Sequence, residues 1–571
     1  MKILFTGHRG TGKTALLERH RQYFPEVKHF DLDEEIEDAM EQNLREYFLR
    51  VGEQEFRQTE KDIFRKIFEN NRNFVISLGA GFDMKSVPAD AKVIFVSRTT
   101  DSEGRIFTNR PRLDSDCPPL DEYRRRYELR DGAFRERADR IYHLPEGQEG
   151  PDAIEKKILS EDFEIGDAYY TLSARELPIL QDLMQTYRRI ELRSDLLLPA
   201  DIETILKKYS EHDWLVSVRT IERFDWSRAK KIDVDFWYYF EGCQIVSSHT
   251  DAIIEGIQQL AEIKENVQLK LCPLVNSFED LIIGYRWQQQ NPEQRSFLPR
   301  SSDGRWIWYR QCSKYFQKIN FIKNFTEVLD QPSLYEWMVL PEAQPARWAA
   351  LLGKPAHFSR SPREHQDFFA ARATYMARLQ INADELRAHL SFLIEMGLGY
   401  ASVTSPLKEE AYRLANVNTA TADQLQAVNT WWMGESEIHG HNTDLAGFRA
   451  FVEKLKPTDK VAIWGGGGTL EMMKAALPQA VLYSSRNARP RTGQKDSLVY
   501  DYLVWAAPRA EHTLWPPEEL SFAQVLDLNY TENSMGLEFA AEKKISYISG
   551  LLMFREQARG QREFWSENER K

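Results

Sequence analysis

The sequence predicts an α/β chain assembled from several parallel-sheet units, and three observations carry that prediction. Residues 3–5 (ILF) lead through GHRGTGKT, residues 7–14, into Ala15, Leu16 and Leu17, which sets a buried strand, a glycine turn and a helix start in succession. In the middle of the chain the apolar runs RRIELRSDLLL, DWLVSVRT, KIDVDFWYYF, QIVSSHT and VQLKLCPLV alternate with helical patterns, the rhythm of a parallel α/β fold and of a (β/α)8-type barrel. Further on, AIWGGGGT repeats the strand-then-glycine arrangement. At 571 residues the chain exceeds what one hydrophobic core organises, and about three or four domains are expected.

Composition narrows the function classes. With 42% hydrophobic and 28% charged residues, no run long and apolar enough to cross a membrane, and an N-terminus that enters a strand directly, a cytoplasmic protein with no membrane partner is expected. A net charge of −12 argues against a nucleic-acid-binding surface spread over the whole molecule, although a local basic patch survives such an average. Cys117, Cys243, Cys272 and Cys312 are scattered without paired spacing, which fits reduced thiols better than a metal site or a disulfide framework.

Residues 1–158 hold the first unit. Gly7, Gly10 and Gly12 allow backbone N–H groups to close around phosphate oxygens, Lys13 reaches the outer phosphates, and Thr14 offers a hydroxyl to magnesium. In VKHFDLDEEIE, Asp31 and Asp33 alternate; on a strand both carboxylates point one way, whereas a helix N-cap with an acidic first turn accounts for them equally well. GEQEFRQTE from Gly52, FVISLGAGF with Gly79 and Gly81, RPRL from Arg110 and RDGAFRERAD from Arg130 follow in order. Together with GHRGTGKT and DLD, this series resembles shikimate kinase. The resemblance implies a kinase-like parallel sheet in which ATP, with Mg2+, phosphorylates the 3-hydroxyl of shikimate. It implies that Asp33 deprotonates the hydroxyl, Asp31 holds magnesium through water, Arg57 and Arg130 clamp the substrate carboxylate, Gly79 and Gly81 admit the ring, and Arg110 descends from a lid onto the phosphates. Ala80 interrupts the family's triple glycine, and Phe134 replaces its tyrosine.

Residues 159–344 hold the second. In a barrel, chemistry sits where strands end, so Glu191, Arg193, Arg219, His249 and Lys270 are candidates for one site. A lysine flanked by Leu269, Leu271 and Pro273 suits a carbonyl-attacking amine of depressed pKa, and His249 a proton carrier; a snorkelling lysine and a satisfied core histidine are the plain alternatives. IELRSD, VSVRT, IDVD, IVSSHT and LKLCPLVNSFEDL resemble, in order, type I 3-dehydroquinate dehydratase, a (β/α)8 barrel. That resemblance implies an imine on Lys270, proton transfer by His249, and substrate binding by Glu191, Arg193 and Arg219. The family's glutamate behind the histidine falls on Arg223, one place from Glu222, and Arg310 and Gln331 are candidates for its late arginine and glutamine.

Residues 345–571 hold the third. Ser359 and Ser361 before Pro362 suit carboxylate binding or helix capping, and Lys408 and Asp444 suit proton transfer coupled to hydride transfer or a surface ion pair. LLGKPAHFSRSPREH, YASVTSPLKEE, LQAVNT, HGHNTDLAGF, AIWGGGGT, VLYSSRN, VLDLNY and GLLMFREQA together resemble shikimate dehydrogenase, a two-domain fold with a Rossmann-like NADP half. The resemblance implies that Lys408 and Asp444 are the catalytic pair and that Ser359, Ser361, Thr404, Asn429, Tyr530 and Gln557 surround dehydroshikimate. It also implies that Gly465, Gly466, Gly467 and Gly468 cradle the cofactor pyrophosphate while Arg486, joined by Arg489 and Arg491, selects NADP(H). The family's asparagine before VT is Ser402, and a helix and a strand are missing after VLYSSRN.

The three resemblances name consecutive conversions, from 3-dehydroquinate through 3-dehydroshikimate and shikimate to shikimate 3-phosphate. Their order resembles the C-terminal three-domain portion of the fungal pentafunctional arom protein, which implies a trifunctional enzyme acting on small molecules; a homodimer is compatible with this reading. A non-catalytic sensor resembling the fungal quinate-pathway repressor is the alternative. Lys13, Asp33, His249, Lys270, Lys408 and Asp444 all stand in the chain and favour the enzyme.

Overall fold

A computed structural model describes residues 1–98, 100–107, 117–143, 152–160, 164–220, 225–264, 266–323, 329–356, 359–491 and 497–570. Four sheets organise them. The first contains β1 (Lys2–Thr6), β2 (Lys28–Asp31), β3 (Phe74–Ser77), β4 (Lys92–Ser97) and β5 (Arg140–His143), all parallel, in the order 2-3-1-4-5. Because β1 lies between strands reached by crossovers to opposite sides, its C-terminal end opens at a topological switch point, where α/β sheets bind ligands. The glycine turn sits there, ahead of α1 (Lys13–Tyr23).

The second sheet comprises β6 (Tyr169–Leu172), β7 (Arg189–Arg193), β8 (Asp213–Val218), β9 (Lys231–Asp235), β10 (Ile245–Ser248), β11 (Gln268–Leu271), β12 (Arg295–Phe297) and β13 (Phe321–Ile322). Its strands are parallel; β6 to β12 are neighbours in chain order, β13 pairs with β6, and β12 and β13 form the two edges, with no pairing between them among the described residues. Among the described residues no helix separates β8 from β9, and only the short turn Phe236–Tyr238 lies between β9 and β10. Tyr169, Leu215, Ile245, Cys272, Leu298 and Phe321 form an apolar cluster drawn from this sheet and its loops.

The third sheet contains β14 (Trp348–Gly353), β15 (Met376–Gln380), β16 (Leu398–Val403), β17 (Val417–Asn418), β18 (Thr430–Met433) and β19 (Ile438–His441), in the order 15-14-16-18-19-17. The fourth contains β20 (Val461–Gly465), β21 (Val481–Ser484), β22 (Arg489–Pro490), β23 (Val499–Ala506), β24 (Ser521–Asp527) and β25 (Ser546–Ser549), in the order 22-21-20-23-24-25. Here β20 occupies the place that β1 holds in the first sheet, with its glycine turn again at the switch. The missing element after VLYSSRN is visible: β22 turns back antiparallel on β21, where a further parallel unit was absent from the sequence.

The alternating carboxylates prove to straddle two elements. β2 ends at Asp31, which caps the helix Leu32–Met40, and Asp33 lies in that helix's acidic first turn. The capping reading therefore holds over the strand reading, because Asp31 accepts from the Asp33 N–H at 3.1 Å.

The second and third sheets share one apolar core. Trp308, fully buried, stacks on Trp348 with ring centroids 5.6 Å apart, and the Cys312 thiol lies 3.1 Å from the Tyr375 hydroxyl. Truncating a buried tryptophan leaves a cavity between both units, so Trp308→Ala should cost about 3–5 kcal/mol. Urea unfolding checks this; a loss below about 1 kcal/mol would mean that the neighbouring side chains close the gap.

Candidate active sites

At the first site, Gly12 adopts φ 97° as the residue before α1, and a Cβ on Gly7, where φ is 152°, would stand 2.4 Å from the Val96 carbonyl. Only glycine lets the turn pass this close to β4. Lys13 Nζ donates to the carbonyls of Gly7 at 2.9 Å and His8 at 3.0 Å, and Thr14 Oγ1 donates to Asp31 Oδ2 at 2.8 Å. A cavity of about 680 Å3 opens beside the turn, lined by Asp33, Arg57, Glu60, Gly79, Gly81 and Arg130 among others.

Arg57 donates to Glu60 at 2.7 Å, and Arg130 donates to the Ala80 carbonyl at 3.1 Å. Burial, then the neighbouring Arg126 and Arg57 guanidiniums, bring Arg130 down to about 10. An anion between these cations would relieve that repulsion. The glycines serve these side chains directly: a Cβ on Gly81 would lie 2.1 Å from Arg57 Nη2, and one on Gly79 2.8 Å from Glu60 Oε1. Glu60 was missed as a site residue in the sequence although it stands at i+3 from Arg57; burial pushes its carboxyl up, with Arg57 opposing. His8 was missed too. Its Nε2 lies 3.0 Å from Asp131, which also pairs with Arg135 at 2.6 Å, so the glycine turn is tied to the helix that carries Arg130. Arg110 lies outside the described residues.

At the second site the candidates converge on one buried polar layer. Glu191 accepts from Thr171 at 2.7 Å and Ser217 at 2.6 Å, and Gln331 donates to the same Thr171 at 3.2 Å. Asp233, fully buried and not singled out from the sequence, accepts from Lys270, from Arg219 and from Ser247. Lys270 is thus one half of a buried ion pair, not the amine surrounded by apolar groups alone that its flanking residues suggested. Arg193 pairs with Asp195 at 2.7 Å, and Arg310 is buried with its Nε directed at the Pro299 carbonyl at 3.4 Å. Ser247 registers with Lys270 across β10 and β11, and His249 follows two residues later, with Nδ1 2.9 Å from Asp235. Arg223 and Glu222 lie outside the described residues.

At the third site residues far apart in sequence meet. Lys408 Nζ donates to Asp444 Oδ2 at 2.8 Å, and Asn429 donates to Asp444 Oδ1 at 2.9 Å and to Thr443 at 2.9 Å. Asp444 opens the helix Asp444–Phe451, which crosses the last helix, Leu551–Glu569, so closely that a Cβ on Gly447 would meet the Met553 carbonyl at 2.7 Å and Gln557 Cβ at 3.2 Å. Tyr530 packs on Phe554 of that last helix at 4.6 Å. Ser359 accepts from the Ser361 N–H at 3.3 Å and donates to its hydroxyl at 3.2 Å, so the pair shapes its own turn; Thr404 packs its methyl against Gly353. Gln561 was missed in the sequence. Its amide accepts from Ser402 at 3.1 Å and donates to the Asn429 carbonyl at 2.9 Å, so it links β16 to the residue that leads into β18.

In the fourth sheet Gly465 and Gly466 have φ of 92° and 108°, with Gly467 and Gly468 in the turn that follows. Arg486 and Arg489 are exposed after β21, whereas Arg491 reaches back from the β22 hairpin to donate to the Gly465 carbonyl at 3.3 Å.

Comparison with known proteins finds family matches in two parts of the chain. Residues 9–160 match the family model for shikimate kinase, and residues 351–431 match that for the shikimate dehydrogenase substrate-binding domain. The NADP(+) shikimate dehydrogenase of Acinetobacter baumannii strain SDF is 30% identical over 241 residues, covering 37% of this chain and 91% of that protein. The chain belongs to the shikimate dehydrogenase family. The Cupriavidus pinatubonensis shikimate dehydrogenase is 34% identical over 213 residues, 34% of this chain and 70% of its own. Among solved structures, shikimate dehydrogenase 1 of Peptoclostridium difficile is similar at 20% identity and TM-score 0.33, over 39% of this chain and 92% of that one. A Thermus thermophilus shikimate 5-dehydrogenase in complex with NADP(H) and shikimate is similar at 20% identity and TM-score 0.31, over 39% and 94%.

Outside the shikimate dehydrogenase portion, His249 yields a pH prediction. Burial, followed by the charges of Arg219, Lys270, Arg300 and Arg193, holds its imidazole well below the ordinary 6.5. The unfolded chain therefore binds a proton that the folded chain refuses, and this histidine's contribution to stability falls as pH drops below that value. Histidine-labelled NMR should show His249 titrating at more acid pH than an unperturbed histidine; a midpoint at or above the ordinary 6.5 would contradict the site.

Proposed function

We propose that this chain reduces 3-dehydroshikimate to shikimate with NADPH and phosphorylates shikimate with ATP. The observation that carries the reading is the meeting of Lys408, Asp444 and Asn429 in a chain whose first unit gathers Asp33, Arg57 and Arg130 in one cavity beside a phosphate-type glycine turn.

For the reduction, the glycine turn of residues 465–468 and Arg491 fit a pyrophosphate, and the exposed Arg486 and Arg489 suit a 2′-phosphate. Bound there, NADPH supplies a hydride. Lys408 holds the proton that the substrate's carbonyl oxygen takes as it becomes a hydroxyl, and Asp444 keeps that ammonium charged and aimed. Asn429 fixes the Asp444 carboxylate, and Ser359, Ser361, Thr404, Tyr530 and Gln557 enclose the ring.

For the phosphorylation, Gly7, Gly10 and Gly12 hold the phosphates of ATP, which supplies the phosphoryl group, and Lys13 leaves its carbonyl partners to meet their charge. Thr14 and Asp31 are adjacent oxygen donors that suit Mg2+. Arg57 and Arg130 clamp the shikimate carboxylate, Gly81 leaves room for the Arg57 guanidinium and Gly79 for the carboxylates of Glu60 and Asp33, and Asp33 takes the proton of the attacking hydroxyl.

A third activity rests on the buried layer of the second sheet, which we read as a (β/α)8-type barrel with two crossovers trimmed. Lys270, its proton given up to water while Asp233 stays the anion that aims it, attacks the ketone of 3-dehydroquinate, and the carbonyl oxygen leaves as water to form an imine. His249, held by Asp235, moves the α-proton, and Glu191, Arg193 and Arg219 bind the hydroxyls and carboxylate. The ring hydroxyl leaves with that proton as water, and a second water hydrolyses the imine to release 3-dehydroshikimate and restore the Lys270 amine.

Asp33→Asn should lower ATP-dependent phosphorylation of shikimate at least about a hundredfold, and Lys408→Ala should do the same to 3-dehydroshikimate-dependent loss of NADPH absorbance. Retention of either rate would remove the assigned role. Borohydride added with 3-dehydroquinate should leave a mass adduct on Lys270, and an unmodified protein would remove the dehydratase.

A further inference from the structure

The dehydrogenase portion reaches into the wall of the first site. After β24 the chain passes Tyr530 to Glu532, whose carboxylate lies 3.3 Å from Arg98 and 2.5 Å from Arg105. The Ile106 N–H donates to the Glu532 carbonyl at 2.6 Å, Asn533 donates to Glu103 at 3.2 Å, and Leu537 is buried with Ile106 and Leu120. This is a seated contact between two units, with polar and apolar parts.

Both arginines face the glycine turn. Arg98 donates through Nε to the Thr11 carbonyl at 3.0 Å, so its guanidinium bridges the turn's backbone and Glu532. Arg105, 1% exposed, is shared by Asp101 at 2.5 Å, Glu532 and the Tyr123 hydroxyl. A Cβ on Gly10 would meet Phe107 at 2.5 Å and the Arg105 side chain at 3.2 Å, and the Arg9 guanidinium covers Phe107 at 4.8 Å. A buried guanidinium that loses its carboxylate swings or draws in water. Loss of Glu532 would therefore release the Thr11 carbonyl and unsettle the turn whose N–H groups hold phosphate.

We propose that Glu532, contributed by the dehydrogenase portion, is a positioning residue of the nucleotide site of the first unit, acting through Arg98. This rests on reading the glycine turn as an ATP grip. The same loop carries Tyr530, whose ring lies under Arg360 at 5.6 Å, between the two serines assigned to dehydroshikimate. The nucleotide site and the mouth of the dehydrogenase site thus share one short segment.

Calorimetric titration of the full chain with MgATP tests the assignment. Glu532→Gln keeps the side chain's size and removes its charge, and should weaken MgATP binding about tenfold, or ~1.4 kcal/mol. Arg98→Gln should weaken it similarly, the double variant should be no worse than either single one, and Glu532→Asp should recover part of the affinity. Unchanged affinity in Glu532→Gln overturns the proposal, as do losses that multiply in the double variant. Should Glu532→Gln fail to fold, Arg98→Gln cuts the same contact from the other side, and wild-type affinity there is equally fatal. A wild-type chain that binds MgATP without phosphorylating shikimate sinks the proposed kinase activity alone, whereas one that does not bind MgATP sinks both.

Discussion

A cation taken out of water needs compensation nearby, and at each site of this chain a carboxylate supplies it to at least one lysine or arginine. Arg57 leans on Glu60, Lys270 and Arg219 on Asp233, Lys408 on Asp444, and Arg98 and Arg105 on Glu532. A small polyhydroxylated acid calls for fixed positive charge inside a pocket, and fixed positive charge calls for a counter-ion nearby. The same carboxylates set the orientation of the groups they neutralise, as Asp444 does when Lys408 and Asn429 take one oxygen each.

Strand order decides where such groups gather. In the first and fourth sheets the glycine turn follows the strand flanked by crossovers to opposite sides, where the C-terminal ends of neighbouring strands diverge. Both turns use glycines at positive φ, and each is braced from outside by an arginine that donates to a backbone carbonyl, Arg98 to Thr11 and Arg491 to Gly465. In the second sheet β6 to β12 run in chain order, and buried side chains of successive strands, Glu191, Ser217, Asp233, Ser247 and Lys270, join in one polar layer.

Much of this is legible in the sequence where chemistry and backbone geometry coincide. Both glycine turns, the Lys408–Asp444 pair and the grouping of Arg57 with Arg130 are residue types visible in the sequence, and the structure places the members of each group together. Spacing alone left Asp31 and Asp33 open, because two residues apart on a strand and cap-plus-first-turn on a helix give the same letters. Asp233 stood in view in IDVD, yet only the pairing of β9 with β10 and β10 with β11 shows which of its two carboxylates meets Lys270. Arg491 could not be preferred over Arg486 before the β22 hairpin was seen to fold back. Glu532 and Gln561 were illegible for another reason: their partners lie hundreds or more than a hundred residues away, in elements with no local pattern linking them.

If one chain carries both the reduction and the phosphorylation, the two reactions run in series on one small acid. Supplying the purified protein with 3-dehydroshikimate, NADPH and MgATP together and following products by mass spectrometry tests it most directly. The expected result is one-for-one loss of NADPH with the appearance of shikimate and then shikimate 3-phosphate. Unchanged NADPH and no phosphorylated product, from protein shown to be folded, would contradict it.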